Sequence, residues 1–520
     1  RDWLEQLRIE QITAGRLIFR PMLKEGEPSQ QLTARRQTMK DISDSLLENI
    51  PIIQDERSSI EDARWILGNI LEYNLREENS AWWEFFRLRD LSAEDLADER
   101  SGIVGLEFVS RDDNNGNLPT DTYSFPPQEV EIEIRGKLNS VTDELDENGE
   151  LIVQNIGTVE SVDVPNRTLK IKRTGKTKDF HPSTAFFHNV VSALELENSL
   201  VRIGQYFADN GIESADSYQV AQALLLRNRP IPNNHGLRKP AESALDAAIR
   251  LISGNTDMVL PIQGPPGSGK TYTGARMICE LVRDGKNVGI TAVSHRVIRN
   301  LLLAVDAAAE ELGISISIGH RGKETSGTNL VDIKSNKAAH KKLADGDLAV
   351  VGGTAWLWAR PEMMESVDVL FIDEAAQMSL ANALAASPAG KSMVLLGDPQ
   401  QLSQPQQGTH PEGTSGSALE HILNGEKTIA DTDGLFLEET WRMNPAICEF
   451  TSELFYENRL SARGGLENQR LEGTSRFIGT GLWFVPVEHS GNVNYSIEEV
   501  DKVAEIYDEL TSGNAGWRNQ

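Results

Sequence analysis

Residues 262–274 read IQGPPGSGKTYTG, where Gly264, four residues, and then Gly269, Lys270 and Thr271 have the spacing of a phosphate-binding loop. Gly264, Gly267 and Gly269 let the backbone turn tightly enough for its N–H groups to point inward at phosphate oxygens. Lys270 supplies a cation to the outer phosphates of a nucleoside triphosphate, and the Thr271 hydroxyl is placed to hold Mg²⁺. The whole stretch Gly264, Pro265, Pro266, Gly267, Ser268, Gly269, Lys270, Thr271 and Tyr272 is therefore the expected nucleotide-binding segment. TDMVLPI before it is an apolar run of strand type. ARMICELVRDG after it has helical spacing and a closing Gly285. Strand, loop and helix are the context such a loop needs.

Working outward, MVLPI, NVGITAV, ISISIG, LAVVGG, VDVLFID and SMVLLGD are short apolar runs separated by helical or loop segments. That pattern predicts an α/β fold with a parallel sheet covered on both faces. Ligands of such sheets gather at the carboxyl ends of the strands, and the polar motifs fall there. VLFIDEAAQ sets Asp373, suited to Mg²⁺, and Glu374, suited to polarising an attacking water, after a strand. LLGDPQQLSQ sets Gln401, a neutral group suited to sensing a γ-phosphate, after another. ETWRMNPAICEF opens a further unit with Arg442, which fits either a cation brought to the transition state or a surface ion pair.

Residues 1–100 are expected to be helical, with apolar residues at helical spacing in DARWILGNILEYNL and AWWEFFRLRDLS. Trp82, Trp83, Phe85 and Phe86 fit either a stacking platform or, as the favoured role, packing in a core. Residues 101–187 alternate as strands do, in EVEIEIRGKL, GELIVQNIGTVESVDV and RTLKIKRTGK, with DENG as a hairpin turn; a small β-barrel is expected. Its last hairpin carries Lys170, Lys172 and Arg173, which fit either a patch that contacts nucleic-acid phosphates or a solvated edge strand. Residues 188–250 return to helix, so the barrel would sit on a stalk. An ATPase domain at 251–438 and the start of a second one at 439–520 complete the expected division.

The net charge of −27 excludes a general polyanion binder, so any nucleic acid must follow a local basic path. No signal peptide or membrane span is apparent, and the two cysteines match no metal spacing, which points to a reducing cytoplasm. The opening at Arg1 and the close on an amphipathic segment suggest a piece of a longer protein.

Taken in order, GPPGSGKT, TAVSHRVIRNLL, VGGTAWLWAR, DEAAQ, GDPQQL and WRMNP resemble motifs I, Ia, Ic, II, III and IV of the superfamily 1B helicases. This is the branch of the nonsense-mediated-decay and Okazaki-fragment helicases. The resemblance implies a RecA-like P-loop core using ATP and Mg²⁺, with Gly269, Lys270, Thr271, Asp373 and Glu374 in hydrolysis. It implies Gln401 as γ-phosphate sensor, Arg442 as arginine finger and Trp441 stacked on the adenine. It assigns backbone contacts with nucleic acid to Ser294, His295 and Thr354, although a helix cap is the other reading of His295. ARWILGNILEYNLREENSAWWEFFRLRDLSAEDLADE is similar to the middle of prokaryotic fusions of a RecB-like nuclease with such a helicase, implying a nuclease before residue 1. The family pattern departs in having no adenine-reading glutamine upstream of the loop, in His295 where asparagine is common, and in lacking motifs V and VI. GTGLWFVPVEHSG and SIEEVDKVAEIYDELTSG look like the first strand and helix of a second core domain. The implied activity is ATP-driven 5′ to 3′ movement on single-stranded DNA. An RNA helicase and an ATP-gated nucleic-acid clamp are the alternatives.

Overall fold

The computed structural model describes residues 30–113, 118–145, 151–188, 191–213, 216–227, 237–322, 329–473, 475–492, 496–511 and 515–518. The chain opens with helices α1 (Gln30–Leu47), α2 (Ser59–Ile70) and α3 (Tyr73–Asp90). A reciprocal cap starts α2: the Ser58 hydroxyl accepts the Glu61 N–H, and the Glu61 carboxylate accepts the Ser58 N–H. On α3, Phe85 packs against Phe186 and His188, whereas Trp82 and Trp83 stand exposed. Consecutive helical residues are about 100° apart, so one core face cannot take all four aromatic rings.

Seven antiparallel strands follow: β1 (Gly102–Val104), β2 (Glu107–Asp112), β3 (Thr120–Ser124), β4 (Lys137–Leu145), β5 (Leu151–Asp163), β6 (Thr168–Arg173) and β7 (Thr184–Phe187). They pair in the order β1-β7-β4-β5-β6-β3-β2. Among the described residues no ladder joins β1 to β2, so the sheet is open where the sequence suggests a barrel. The three-residue β1 pairs only with β7 and offers little ladder for closure. β4 and β5 form an antiparallel pair with Leu145 opposite Leu151; the DENG turn between them lies outside the described residues.

Helices α4 (Leu194–Asn210), α5 (Gln219–Leu225) and α6 (Ala244–Gly254) lead into the second sheet. It contains β8 (Val259–Gln263), β9 (Val288–Thr291), β10 (Ile318–His320), β11 (Val331–Asp332), β12 (Val350–Gly352), β13 (Val367–Ile372), β14 (Gly390–Gly397) and β15 (Leu435–Phe436). All neighbours run parallel, in the order β11-β10-β12-β9-β13-β14-β8-β15. Alternation along each strand sends residues to two cores. Val369, Phe371, Val394 and Leu396 pack with α6, α7 (Lys270–Arg283) and α8 (His295–Leu312). Leu370, Ile372, Met393 and Leu395 share the opposite core with Ile42 of α1, Ile66 of α2 and Leu200 of α4. The helices ahead of it are thus fused to one face of the parallel sheet.

Past β15 come β16 (Glu439–Thr440), α9 (Pro445–Phe455), β17 (Ser461–Ala462), β18 (Arg470–Gly473), α10 (Ile497–Thr511) and β19 (Ala515–Arg518). Helix α10 coincides with the second of the two segments assigned to a further core domain. Residues 482–489 form no strand, and Phe484 is 92 % exposed. A buried parallel strand is stable only when neighbours complete its ladder and cover its faces, and none is supplied here. Among the described residues, no helix is long and apolar enough to cross a membrane.

Candidate nucleotide and nucleic-acid site

β8 delivers the chain into the phosphate loop, which leads directly into α7 with Gly269 at φ 86°. The loop is anchored to the end of β14 by the Gly264 N–H, 2.9 Å from the Gly397 carbonyl. Lys270 Nζ donates to the Gly264 carbonyl at 2.7 Å, which folds the ammonium over the loop. Gly267, at φ 75°, admits no side chain: a Cβ there would lie 2.4 Å from Cβ of Arg442. That closeness comes from β16. The Thr440 hydroxyl donates to the Pro266 carbonyl at 3.0 Å, and the Trp441 N–H donates to the Gly267 carbonyl at 2.8 Å. The backbone at Arg442 is therefore held against the phosphate loop by the Thr440 hydroxyl and the Trp441 N–H, while its side chain is exposed.

Asp373 ends β13, two strands from β8, with its N–H on the Thr291 carbonyl. Its side chain is nearly buried and accepts the Glu374 N–H at 3.0 Å. Burial first, and the neighbouring Glu374 second, push its carboxyl up to about 6, against the opposing pull of Lys270. A nearly buried carboxylate under the electrostatic influence of Lys270 is a hard-oxygen donor that suits Mg²⁺ completed by phosphate oxygens and water. Thr271 and Asp373 are the residues that would hold it. Glu374 adopts φ 52°, a left-handed conformation that costs a non-glycine residue on the order of 1 kcal/mol. Its turn is locked by the Ala375 N–H on the Leu396 carbonyl and the Gln377 N–H on the Glu374 carbonyl. Gln401 follows β14, the strand between those of the loop and Asp373, and donates Nε2 to Asp398 at 3.1 Å.

Trp441 and Tyr272 are each 55 % exposed. One face of the Trp441 ring is covered by the Arg463 guanidinium, 3.3 Å from its centroid, and the Arg276 guanidinium lies 3.5 Å over Tyr272. Arg463 was not legible in the sequence; nothing local marks a partner 22 positions beyond Trp441.

Ser294, His295 and Thr354 lie past the carboxyl ends of the adjacent strands β9 and β12. The cap of α8 belongs to Ser294, whose hydroxyl accepts the Val297 N–H at 3.3 Å. His295 is the first residue inside the helix, exposed, with its ring 5.5 Å from that of His320. Thr354 precedes the short helix Ala355–Trp358 and makes no capping bond through its side chain.

The basic hairpin divides by face. Lys170 and Lys172 are exposed, while Arg173 points inward with Leu169 and Ile171. The Arg173 side chain is fully buried; it lies 3.4 Å from Asp121 and donates to Tyr123 at 3.3 Å and to the Thr177 and Phe180 carbonyls. A guanidinium so enclosed cannot touch a phosphate backbone, so Arg173 is removed from the nucleic-acid candidates. Nor is β6 an edge strand, because β5 and β3 pair with it on either side. Thr122 and Ser161 flank Lys170, and Thr120 and Thr158 flank Lys172.

A parallel sheet whose strand ends gather a phosphate loop, an acidic pair and a glutamine defines a RecA-like P-loop NTPase fold. Comparison with known proteins narrows that class. An AAA domain family matches residues 244–415. The chain is 26 % identical over 236 residues, 43 % of its length, to the DNA replication ATP-dependent helicase/nuclease DNA2 of Gallus gallus, and covers 22 % of that protein. It is 29 % identical over 207 residues, 38 % of its length, to dna2 of Schizosaccharomyces pombe, covering 14 % of it. An uncharacterized ATP-dependent helicase of Methanocaldococcus jannaschii is 26 % identical over 201 residues, 35 % of this chain and 29 % of that one. The chain thus spans less than a third of each of these relatives. Over the stretch it shares with them, the chain is similar to the ATP-dependent helicases DNA2 and the helicase of Methanocaldococcus jannaschii.

Proposed function

We propose that the chain is an ATP-driven helicase or translocase that moves 5′ to 3′ along single-stranded DNA in a cytoplasmic setting, coupled in cis to a nuclease upstream. The observation that carries the reading is the convergence of Lys270, Asp373, Glu374 and Gln401 at the ends of three neighbouring strands, with Arg442 held against the same loop. In this reading the loop N–H groups and Lys270 bind the β- and γ-phosphates, and Trp441 offers its open ring face to the base. Thr271 and Asp373 would hold Mg²⁺, which would supply charge neutralisation on the phosphates. Glu374 orients the attacking water, Arg442 offsets charge gathering on the transferred phosphoryl, and Gln401 reads whether a γ-phosphate is present. The strand of nucleic acid runs past Ser294, His295 and Thr354 toward Lys170 and Lys172.

Steady-state ATP hydrolysis with and without single-stranded DNA or RNA tests this, beside Glu374→Gln. Stimulation by DNA is expected, with turnover lowered roughly 10²-fold or more in the variant, as for loss of a positioned general base. Displacement from a 5′-tailed but not a 3′-tailed duplex is the expected polarity. Stronger stimulation by RNA overturns the choice of track. Nucleotide binding without turnover on either polymer replaces the motor with a nucleotide-gated clamp.

A further inference from the structure

Gln401 has an unusual support. Asp398, at the end of β14, is fully buried, yet among the described residues no cation lies within ion-pair distance of it. Burying a carboxylate without a cation costs several kcal/mol unless its oxygens are filled by donors. Three donors converge on it. The Gln400 N–H reaches Oδ1 at 3.2 Å, Gln401 Nε2 reaches Oδ2 at 3.1 Å, and the Tyr456 hydroxyl reaches the same Oδ2 at 2.7 Å. Tyr456 caps α9, 58 positions away in sequence, and is 2 % exposed. Burial first, and then the bond to Asp398, hold its phenol far above the ordinary range, so it is always the donor.

This chemistry fixes an orientation. A side-chain amide can turn end for end, exchanging its oxygen and its NH₂ at little intrinsic cost. Beside an acceptor that donates nothing, only one of the two orientations survives, with Nε2 toward Asp398. The carbonyl oxygen and the second N–H of Gln401 are then presented in a fixed sense. The amide sits at the end of β14, whose neighbours are β13, carrying Asp373 and Glu374, and β8, carrying the phosphate loop. The fit is close: a Cβ on Gly397 would lie 2.8 Å from the Ala376 nitrogen and 3.0 Å from that of Ala375. An apolar core around β14 would be more stable than a buried carboxylate, so orienting Gln401 gives Asp398 a reason to be there.

We propose that Asp398 and Tyr456 are positioning residues that lock the Gln401 amide in the one orientation able to read the γ-phosphate and its attacking water. Tyr456 acts through Asp398 by occupying the oxygen that Gln401 shares, so the carboxylate cannot rotate away. Because Tyr456 belongs to α9, the helix that follows Arg442, the same bond joins the sensor to the segment carrying the arginine. The inference rests on the nucleotide-hydrolysing reading of the site and goes beyond it in naming what holds the sensor.

The test is Tyr456→Phe in the 520-residue chain, alone and combined with Gln401→Ala. With the lock lost, kcat for ATP hydrolysis is expected to fall about tenfold, as for weakening a transition-state contact, while KM is unchanged. In the Gln401→Ala background the same change is expected to do nothing more. A purely structural Tyr456 would instead lower the melting temperature without separating kcat from KM, or multiply the loss in the double variant. Either result overturns the proposal.

Failure of the parent reading shows separately, as no hydrolysis by the unaltered chain. The lock is then read from the ratio of dissociation constants for ADP and a non-hydrolysable ATP analogue. Tyr456→Phe is expected to lower the preference for the triphosphate several-fold. An unchanged ratio, or no preference in the unaltered chain, overturns the inference.

Discussion

At the scale of single residues, two buried histidines make stability depend on pH with a definite sign. His421 is buried with Nε2 2.9 Å from the Leu224 carbonyl, so its neutral ring donates to α5. Burial first, and then Arg227, push its pKa down to about 3. His320 is pushed down to about 4 by burial and then by His295 and Arg299. An unfolded histidine takes up its proton near pH 6.5, so below that value the unfolded chain binds more protons than the folded one. Their stabilisation is present above about 6.5 and is lost as pH falls toward 4, by about 1.4 kcal/mol per pH unit for each ring. Asp373, raised to about 6, tilts the other way over the overlapping acid range. Comparing His421→Gln with the parent at each pH removes that counter-slope. Denaturant titrations from pH 7.5 to 5 should show a shallower loss in the variant, and parallel curves would sink the assignment.

At the scale of elements, the long loop after Gln401 is clamped to α3. Glu77 accepts the Gln407 and Gly408 N–H groups at 3.1 and 3.0 Å and His410 Nε2 at 2.5 Å. The His410 ring stacks on Tyr73 with centroids 4.2 Å apart, and the Ser80 hydroxyl donates to the Gln407 carbonyl at 2.8 Å. Burial works against the Glu77 charge, but the hydrogen bonds from His410, Gln407 and Gly408 outweigh it and hold its carboxyl below the usual range. Its contribution is thus present at neutral pH and lost as pH falls below about 4. Glu77→Gln turns an NH₂ toward donors and leaves one unpaired, at a cost of about 1–3 kcal/mol. Faster hydrogen exchange at the Gln407 and Gly408 amides is the expected local sign; protection equal to the parent's would refute the clamp. None of this was legible in the sequence, because the partners are some 330 positions apart. The phosphate loop and the acidic pair were legible because their chemistry is local to a strand and its turn. Arg173 was legible too, though by a different rule: in TLKIKR it falls at the same parity as the apolar Leu169 and Ile171. Counting charges in the hairpin hid what alternation already told.

At the scale of the whole molecule, the proposed function asks a chain of net charge −27 to accept a polyanion. Its general field repels one, but over a screening length of about 10 Å at 0.1 M salt. Inside that distance the local surface decides. Lys170 and Lys172 project from the interior of the open sheet, two residues apart on one strand, with the cross-strand hydroxyl residues Thr122, Thr158 and Ser161 beside them. Among the described residues neither lysine has an ion-pair partner, so the ammonium groups are not already neutralised by the acidic body. Such a stripe suits successive phosphates, with serine and threonine hydroxyls supplying neutral donors. Each phosphate neutralised on a single strand contributes about 0.7 to the slope of log affinity against log salt. Lys170→Gln with Lys172→Gln is therefore expected to weaken single-stranded DNA binding and flatten that slope by about 1.4, leaving DNA-free ATP turnover unaltered. Fluorescence anisotropy from 50 to 300 mM salt reads both numbers. A weakened affinity with the slope intact would mean that the lysines shape the sheet without touching phosphate, and the path would have to lie elsewhere. A flattened slope would put the open sheet on the track, some distance in sequence from the phosphate loop, with Phe85 and Leu88 of α3 packed against Phe186 of that sheet.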